Sequence, residues 1–136
     1  MSFHYSAEEI RIDDGHILRA RLQRGDGEWQ DAEIDLNQHI GNDNGKQGLE
    51  THPHVLYSHH RLGRFYWDGV DFSGSAENIQ FSIEGEGTVP VLRATLIDGE
   101  GNGQEHDLNL SERIGNYDGT FQYSMAFLTH VVTLFR

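Results

Sequence analysis

The 136-residue chain has no cysteine. That excludes a disulfide scaffold, cysteine-based metal sites and a thiol nucleophile. It is also poor in positive charge: 10 Lys and Arg stand against 22 Asp and Glu, for a net charge of -12. Nucleic-acid affinity rests on neutralising phosphates with cationic side chains, so the sign is wrong for that partner. It is equally wrong for an anionic membrane surface. No apolar run is long enough to cross a bilayer, so membrane insertion is not expected. The stretch Met-Ser-Phe-His-Tyr-Ser-Ala-Glu-Glu carries neither a basic region nor an apolar region of a secretory leader. The expectation is a cytoplasmic protein, with export by an unconventional route as the alternative. The sequon Asn109-Leu110-Ser111 is then expected to stay unmodified. No serine–histidine–aspartate arrangement, phosphate-binding glycine loop or metalloprotease motif is visible. The length fits one domain with a real core.

What is present is a duplication. Phe3-x-x-Ser6-Ala7-Glu8-x-Ile10 returns as Phe72-x-x-Ser75-Ala76-Glu77-x-Ile79, and Leu18-Arg19-Ala20-x-Leu22 returns as Leu92-Arg93-Ala94-x-Leu96. Ile34-Asp35-Leu36-Asn37-Gln38-His39-Ile40-Gly41-Asn42-Asp43-Asn44-Gly45 returns as Leu108-Asn109-Leu110-Ser111-Glu112-Arg113-Ile114-Gly115-Asn116-Tyr117-Asp118-Gly119. The offset is 69 before Ile17 and 74 from Ile17 to Lys46, so the second copy holds five extra residues around Glu84–Pro90. A unit this long is no solenoid period. Two copies predict one pseudo-twofold domain, in which a site built by one copy has a counterpart built by the other.

Within each copy the pattern is that of short strands. Leu18, Ala20 and Leu22 alternate with Arg19, Arg21 and Gln23, and Ala32, Ile34 and Leu36 alternate with Glu33 and Asp35. Asp14-Gly15 and Asp26-Gly27 fall between such runs, where they supply hairpin turns. Ser6-x-x-Glu9 has capping-box spacing and predicts one helical turn starting at Ser6. Each repeat therefore reads as a three-stranded meander, a short turn and a hairpin, in an all-β domain spanning 1–123: repeat one is 3–46 plus 65–67, repeat two 72–123. Two segments stand outside the repeat. Residues 47–64 read as a flexible insertion into the first hairpin, and 124–136 is a tail without a counterpart and without an acidic residue. Both differ in composition from the acidic remainder, as retained intron sequence would; transcript reads continuous through the codons of Gln47 and Arg64 would exclude that origin for the insertion.

The doubled signature Ile/Leu-x-Leu-Asn/Ser-x-x-Ile-x-Asn-x-Asp/Asn-Gly, followed by an aromatic strand, resembles the cyanovirin-N homology family. So do the Phe-x-x-Ser-Ala motif before it and the Trp67-x-x-x-x-Phe72 join between copies. The resemblance covers nearly all of 2–46 and 65–123. It implies a pseudo-symmetric cyanovirin-N-like fold, each half combining a triple-stranded sheet with a hairpin contributed across the repeats. It also implies a non-catalytic lectin for mannose-type oligosaccharides, in particular α1→2-linked mannose. The founding pattern has two disulfides. Ala7 and Leu22, and Ala76 and Leu96, occupy those positions here, so packing is expected to replace the bridges, as in the cysteine-free eukaryotic branch.

A pyranose presents hydroxyls that both donate and accept, which suits Asn, Asp, Ser and Gln side chains and open backbone groups fixed at turns. Carried over by position, the resemblance implies a primary pocket of Ser2, Tyr5, Ser6, Gln23, Gly25, Asn116, Tyr117 and Asp118. Asn116 and Asp118 are expected to partner hydroxyls through side chain or backbone, with Tyr5 and Gln23 as walls. Gly25 replaces a polar residue common in the family. The pseudo-symmetric pocket would use Gly41, Asn42, Asp43, Asn44, Asp71, Ser75, Ile97 and Asp98. There Gly41 stands for a usual acidic residue and Ile97 for a polar or basic one. The insertion starts three residues after Asn44 and is expected to cover or displace this pocket, so the first ranks above the second. Asn-x-Asp-Gly is also ordinary turn chemistry, in which the side chains cap their own backbone.

Rival readings are weaker. His52-x-His54 and His59-His60 with Tyr57 could ligate zinc or copper, but an irregular loop rarely preorganises a site, so neither a metal nor any other cofactor is expected. The carboxylates scatter over solvent-facing positions and turns without a pair suited to glycoside hydrolysis, so the chain is not expected to be an enzyme. An interaction domain that binds no sugar, or a lectin for another glycan, are the alternatives. Trp67 matches a core position; Trp29 lies on the charged side of its strand. The linker Asp68-Gly69-Val70-Asp71 lacks the proline sometimes found there in the family. A monomer is expected, with a dimer that exchanges halves as the alternative.

Overall fold

The computed structural model describes residues 3–43 and 63–124. Ser2, Asn44, the histidines of the insertion and the tail beyond Ser124 lie outside the described residues.

The fold is all-β and repeats itself. A 3-10 turn at Phe3–Ser6 leads into β1 (Ala7–Asp13), β2 (Ile17–Gln23) and β3 (Trp29–Asp35). A second 3-10 turn at Leu36–Gln38 leads into the hairpin of β4 (Ile40–Asn42) and β5 (Phe65–Trp67). The series then returns as a turn at Phe72–Ser75, β6 (Ala76–Glu84), β7 (Val89–Ile97), β8 (Gly103–Asn109), a turn at Leu110–Glu112, and the hairpin of β9 (Ile114–Tyr117) and β10 (Thr120–Tyr123). The strands make two antiparallel triple-stranded sheets, β1-β2-β3 and β6-β7-β8, and two two-stranded hairpins. This is the meander, turn and hairpin that the alternating pattern predicts. The five extra residues of copy two add two residues to each strand of the β6–β7 hairpin and one to its turn.

Alternation decides which face goes inside. In β2, Leu18, Ala20 and Leu22 are buried between partly exposed neighbours; Leu92, Ala94 and Leu96 are likewise buried in β7, where Val91 beside them is buried too. Ala7 sits opposite Leu22, and Ala76 opposite Leu96. Burying such a leucine stabilises by about 1.5–3 kcal/mol. Leu22 and Leu96 are fully enclosed, so packing fills the positions where the family's founding pattern has bridges.

The hairpins cross over. Phe3 of copy one meets Phe121 of copy two edge-to-face at 5.4 Å, and Phe72 of copy two meets Phe65 of copy one at 5.7 Å. All four join a core with Leu36, Ile40, Leu110 and Ile114. Near the pseudo-twofold axis Trp67 and Tyr123, which hold equivalent positions, lie 5.8 Å apart. His39 stacks on Tyr123 at 4.0 Å, and its counterpart Arg113 lies 5.9 Å from the Trp67 ring. The same contact is thus made twice with different chemistry.

One local expectation needs correction. The helical turn does not start at Ser6 but ends there. Ser6 Oγ turns back to the Phe3 carbonyl, at 3.5 Å, instead of capping the chain ahead. Burial of Phe3 pulls the turn three residues towards the N-terminus, and Glu9 lies in a β-bulge with φ 56°. Asn78, at the same place in copy two, has φ 54°.

Candidate functional site

Asp118 and Gly119 form the tip of the β9–β10 hairpin, both with positive φ, at 50° and 91°. That is the primed turn which an Asp-Gly pair favours. A side chain at 119 could not be accommodated: its Cβ would come within 2.6 Å of Arg24 Cγ and 2.8 Å of the Gln30 amide. The tip is therefore pressed onto copy one. Gln30 Nε2 donates to the Gly119 carbonyl at 2.8 Å, and the Gly25 amide donates to Asp118 Oδ1 at 2.8 Å.

Asn116 clamps the arrangement. Its Nδ2 donates to Ser6 Oγ at 2.8 Å and to the Gln23 carbonyl at 3.0 Å, and its Oδ1 accepts from the Gly119 amide at 2.9 Å. One amide thus ties the hairpin of copy two to the first 3-10 turn and to the end of β2 in copy one. Of the residues placed in the primary pocket by position, Ser6, Gln23, Gly25, Asn116 and Asp118 are joined by these bonds. Tyr5 and Tyr117 flank the joint, 66% and 69% exposed. Gln23 Nε2 is turned to the Gly27 carbonyl at 3.3 Å. Asn116 has its amide engaged within the protein, while Asp118 and both tyrosines lie open to solvent. Arg24 and Gln30 also belong to the joint, though the sequence singles out neither. The repeat offered no signal for them, because their role comes from a contact between copies 89 or more residues apart in sequence.

The pseudo-symmetric joint is built the same way. Asn42 Nδ2 donates to Ser75 Oγ at 2.8 Å and to the Ile97 carbonyl at 2.9 Å. Asn42 is 6% exposed. Asp98 is buried and caps its own turn, accepting from the amides of Glu100 and Asn102 and from Gln104 Nε2. The Asp43 amide donates to the Arg64 carbonyl at 2.7 Å, which carries the β4–β5 ladder one step past Asn42 and Phe65. Gly41 pairs with Tyr66, and a Cβ on Gly41 would sit 2.7 Å from the Tyr66 ring. Asp71 has φ 60° and bridges back to Gly41. The described part of this joint is hence enclosed by its own side chains, and the place of the Asp118-Gly119 tip falls outside the described residues.

Trp67 packs partly buried against the core and donates from Nε1 to Glu112 at 3.0 Å, while Trp29 is 36% exposed. His39 and His106 have pKa values below the ordinary histidine value, chiefly because burial penalises the charged ring; Asp35 and Asp68 oppose this at His39, and Asp107 opposes it at His106. Among the described residues no three His, Asp or Glu side chains gather into a set able to hold a metal ion.

The comparisons agree with this architecture. A family model described as the CVNH domain matches residues 3–122. A cyanovirin-N homolog of Neurospora crassa is 41% identical over 126 residues, covering 90% of this chain and 97% of its own. The solved structure of the Gibberella zeae CVNH protein, 41% identical, superposes with a TM-score of 0.71 over 90% of this chain and 97% of that one. A microvirin–mannobiose complex, 22% identical, has the same fold, with a TM-score of 0.68 over 92% and 98%.

Proposed function

Because this chain belongs to the CVNH domain family, we propose that it is a non-catalytic lectin whose first joint, between Tyr5–Ser6, the β2–β3 turn and the Asp118-Gly119 tip, binds terminal α1→2-linked mannose. The observation that carries this reading is the division of labour at the joint. Asn116 spends its amide on holding three segments together, which leaves the Asp118 carboxylate, Tyr5 and Tyr117 exposed around a fixed turn. A rigid turn ringed by acceptors, hydroxyls and aromatic edges suits a neutral ligand rich in hydroxyls, because little ordering entropy is lost on binding. The net charge of -12 favours a neutral glycan over an acidic one. The mannobiose of the microvirin complex supports mannose as the sugar. The second joint is the weaker site on this reading, since Asn42 and Asp98 are buried and Tyr66 lies across Gly41.

The test is a ¹⁵N correlation titration with α1→2-mannobiose. Shifts should centre on Tyr5, Gln23 and the Tyr117–Gly119 tip. Asp118→Ala should weaken binding about tenfold or more with little loss of stability, because the bond it deletes is solvent-exposed. Shifts confined to Gly41–Asp43 and Asp71 would move the site to the second joint, and no shift at millimolar sugar would remove the mannose reading.

A further inference from the structure

The opposite flank of Tyr5 opens on a cleft that the repeat does not explain. It has a volume of about 460 Å³, lies between β1 and β6, and is lined by Tyr5, Ala7, Ile10, Phe81 and Ile83, with Glu8 and Glu9 beside them. Ala7, Glu8 and Ile10 recur in copy two as Ala76, Glu77 and Ile79, but Tyr5 and Ile83 have no equivalent in the other copy. Copy two has Ser73-Gly74 where copy one has His4-Tyr5, yet folds the same 3-10 turn, so the fold itself does not require those two rings. The extra residues of the β6–β7 hairpin bring Gly87 across the chain, where its carbonyl accepts from His4 Nε2 at 3.2 Å. His4 stacks on Tyr5 at 4.1 Å and is 8% exposed. A carbonyl only accepts, so Nε2 carries a proton; the buried Nδ1 has no partner among the described residues. That atom is closed to solvent, so the acceptor open on the cleft wall is the exposed Glu9 carboxylate. Tyr5 and Ile83 are two of the few large apolar side chains left exposed, and both line this cleft.

We infer that this cleft is a second saccharide subsite, continuous with the first through Tyr5, and that it takes an N-acetylhexosamine residue. A plain hexose would press hydroxyls against Ile10, Phe81 and Ile83. An acetamido group supplies a methyl for that apolar floor and an N–H for an acceptor at the wall. Glu8 is held by Arg21 at 2.7 Å, and the exposed Glu9 disfavours uronic and sialic acids by charge. The inference rests on the lectin reading only for continuity with the first joint.

The experiment titrates the full chain with N,N′-diacetylchitobiose, with cellobiose, its neutral analogue without the acetamido groups, and separately with α1→2-mannobiose. Diacetylchitobiose should shift Glu9, Ile83 and Gly87. Ile83→Asp, a change at a half-exposed site, should weaken that binding about tenfold and leave the mannobiose shifts as they were, which also reports an intact fold. Glu9→Asn, which copies the residue found at the matching bulge of copy two, keeps the backbone and tests the carboxylate separately. Shifts at Ile83 without any mannobiose response would uphold the cleft and sink the reading of the first joint. No shift at Ile83 and Gly87 at about 10 mM sugar, shifts confined to Tyr117–Gly119, or equal binding of cellobiose would each overturn the inference.

Discussion

At the scale of single residues, the chain uses one amide side chain per repeat as a fastener. Asn116 and Asn42 make matching bonds to a serine hydroxyl and to a strand-end carbonyl of the other copy. Removing a buried hydrogen-bonding partner leaves the other side unpaired, at about 1–3 kcal/mol. Asn42→Ala and Asn116→Ala should therefore both lower the urea midpoint by that order, with the more buried Asn42 at the upper end. Asn116→Ala should also weaken mannobiose binding, because the tip it holds would lose its register. A stable Asn116→Ala protein that no longer binds sugar would instead make the amide a direct sugar contact. Much of this was legible in the sequence, since the repeated Asn-x-Asp/Asn-Gly marks a turn and its duplication marks a paired site. The distinction between Asn116 as fastener and Asp118 as exposed group was not, because both are turn formers and only the contact across copies separates them. Gln30 was silent for the same reason.

At the scale of elements, the first hairpin differs from the second where the ring of Tyr66 lies between two glycines. The three atoms nearest a Cβ on Gly41 would all belong to the Tyr66 side chain, at 2.7 to 2.9 Å, whereas one on Gly69 would meet the same ring at 2.6 Å and also the Gly41 backbone nitrogen at 2.8 Å. The two clashes make a double-mutant test. Gly41→Ala should cost about 1–3 kcal/mol in the native background and almost nothing beyond the single change once Tyr66→Ala has removed the ring. Gly69→Ala should stay costly in both backgrounds, because backbone cannot move aside. Thermal melts of the native protein and the five variants check this, and equal relief of both glycine changes by Tyr66→Ala would contradict it. The packing also gives a physical reason why Gly41 stands where an acidic residue is usual in the resemblance: a side chain there would have to displace that ring. Nothing in the residue pattern warns of this, since Gln122 faces Gly115 in the other copy and tolerates the same glycine without the ring. The strands of the meander were legible in the period-two alternation, and the pairing of Ala7 with Leu22 and of Ala76 with Leu96 in the resemblance, whose bridge positions they occupy. The start of the first turn was not, because capping-box spacing competes with burial of Phe3 and burial wins.

At the scale of the whole molecule, the two copies are locked together at the segment between them, and that lock is titratable. Asp68 has φ 67°, its amide donates to the His39 carbonyl at 2.8 Å, and its carboxylate accepts from the Tyr123 hydroxyl and from Arg113. Burial, and then the bond to Asp68, push the Tyr123 phenol up to about 12. A phenol whose folded pKa is raised adds stability that is fully present below its unfolded value of about 10 and is lost as pH climbs from there towards the folded value. Tyr66, raised by burial and by Asp43, acts in the same direction. The acid side has the opposite sign. His39 and His106 are held below their ordinary value mainly by burial, so their contribution is present above about 6.5 and is lost as pH falls and the unfolded chain takes up the protons. At His106 the geometry agrees, since Nδ1 accepts from the Phe65 amide at 3.2 Å and must stay unprotonated to do so. Urea midpoints measured from pH 5 to 12 should form a plateau between about 7 and 10 with a fall on each side. Tyr123→Phe should lower the plateau, because Asp68 loses a donor, and flatten the alkaline limb to the share left by Tyr66. An alkaline limb unchanged in Tyr123→Phe would show that Tyr123 and Asp68 do not couple the two copies.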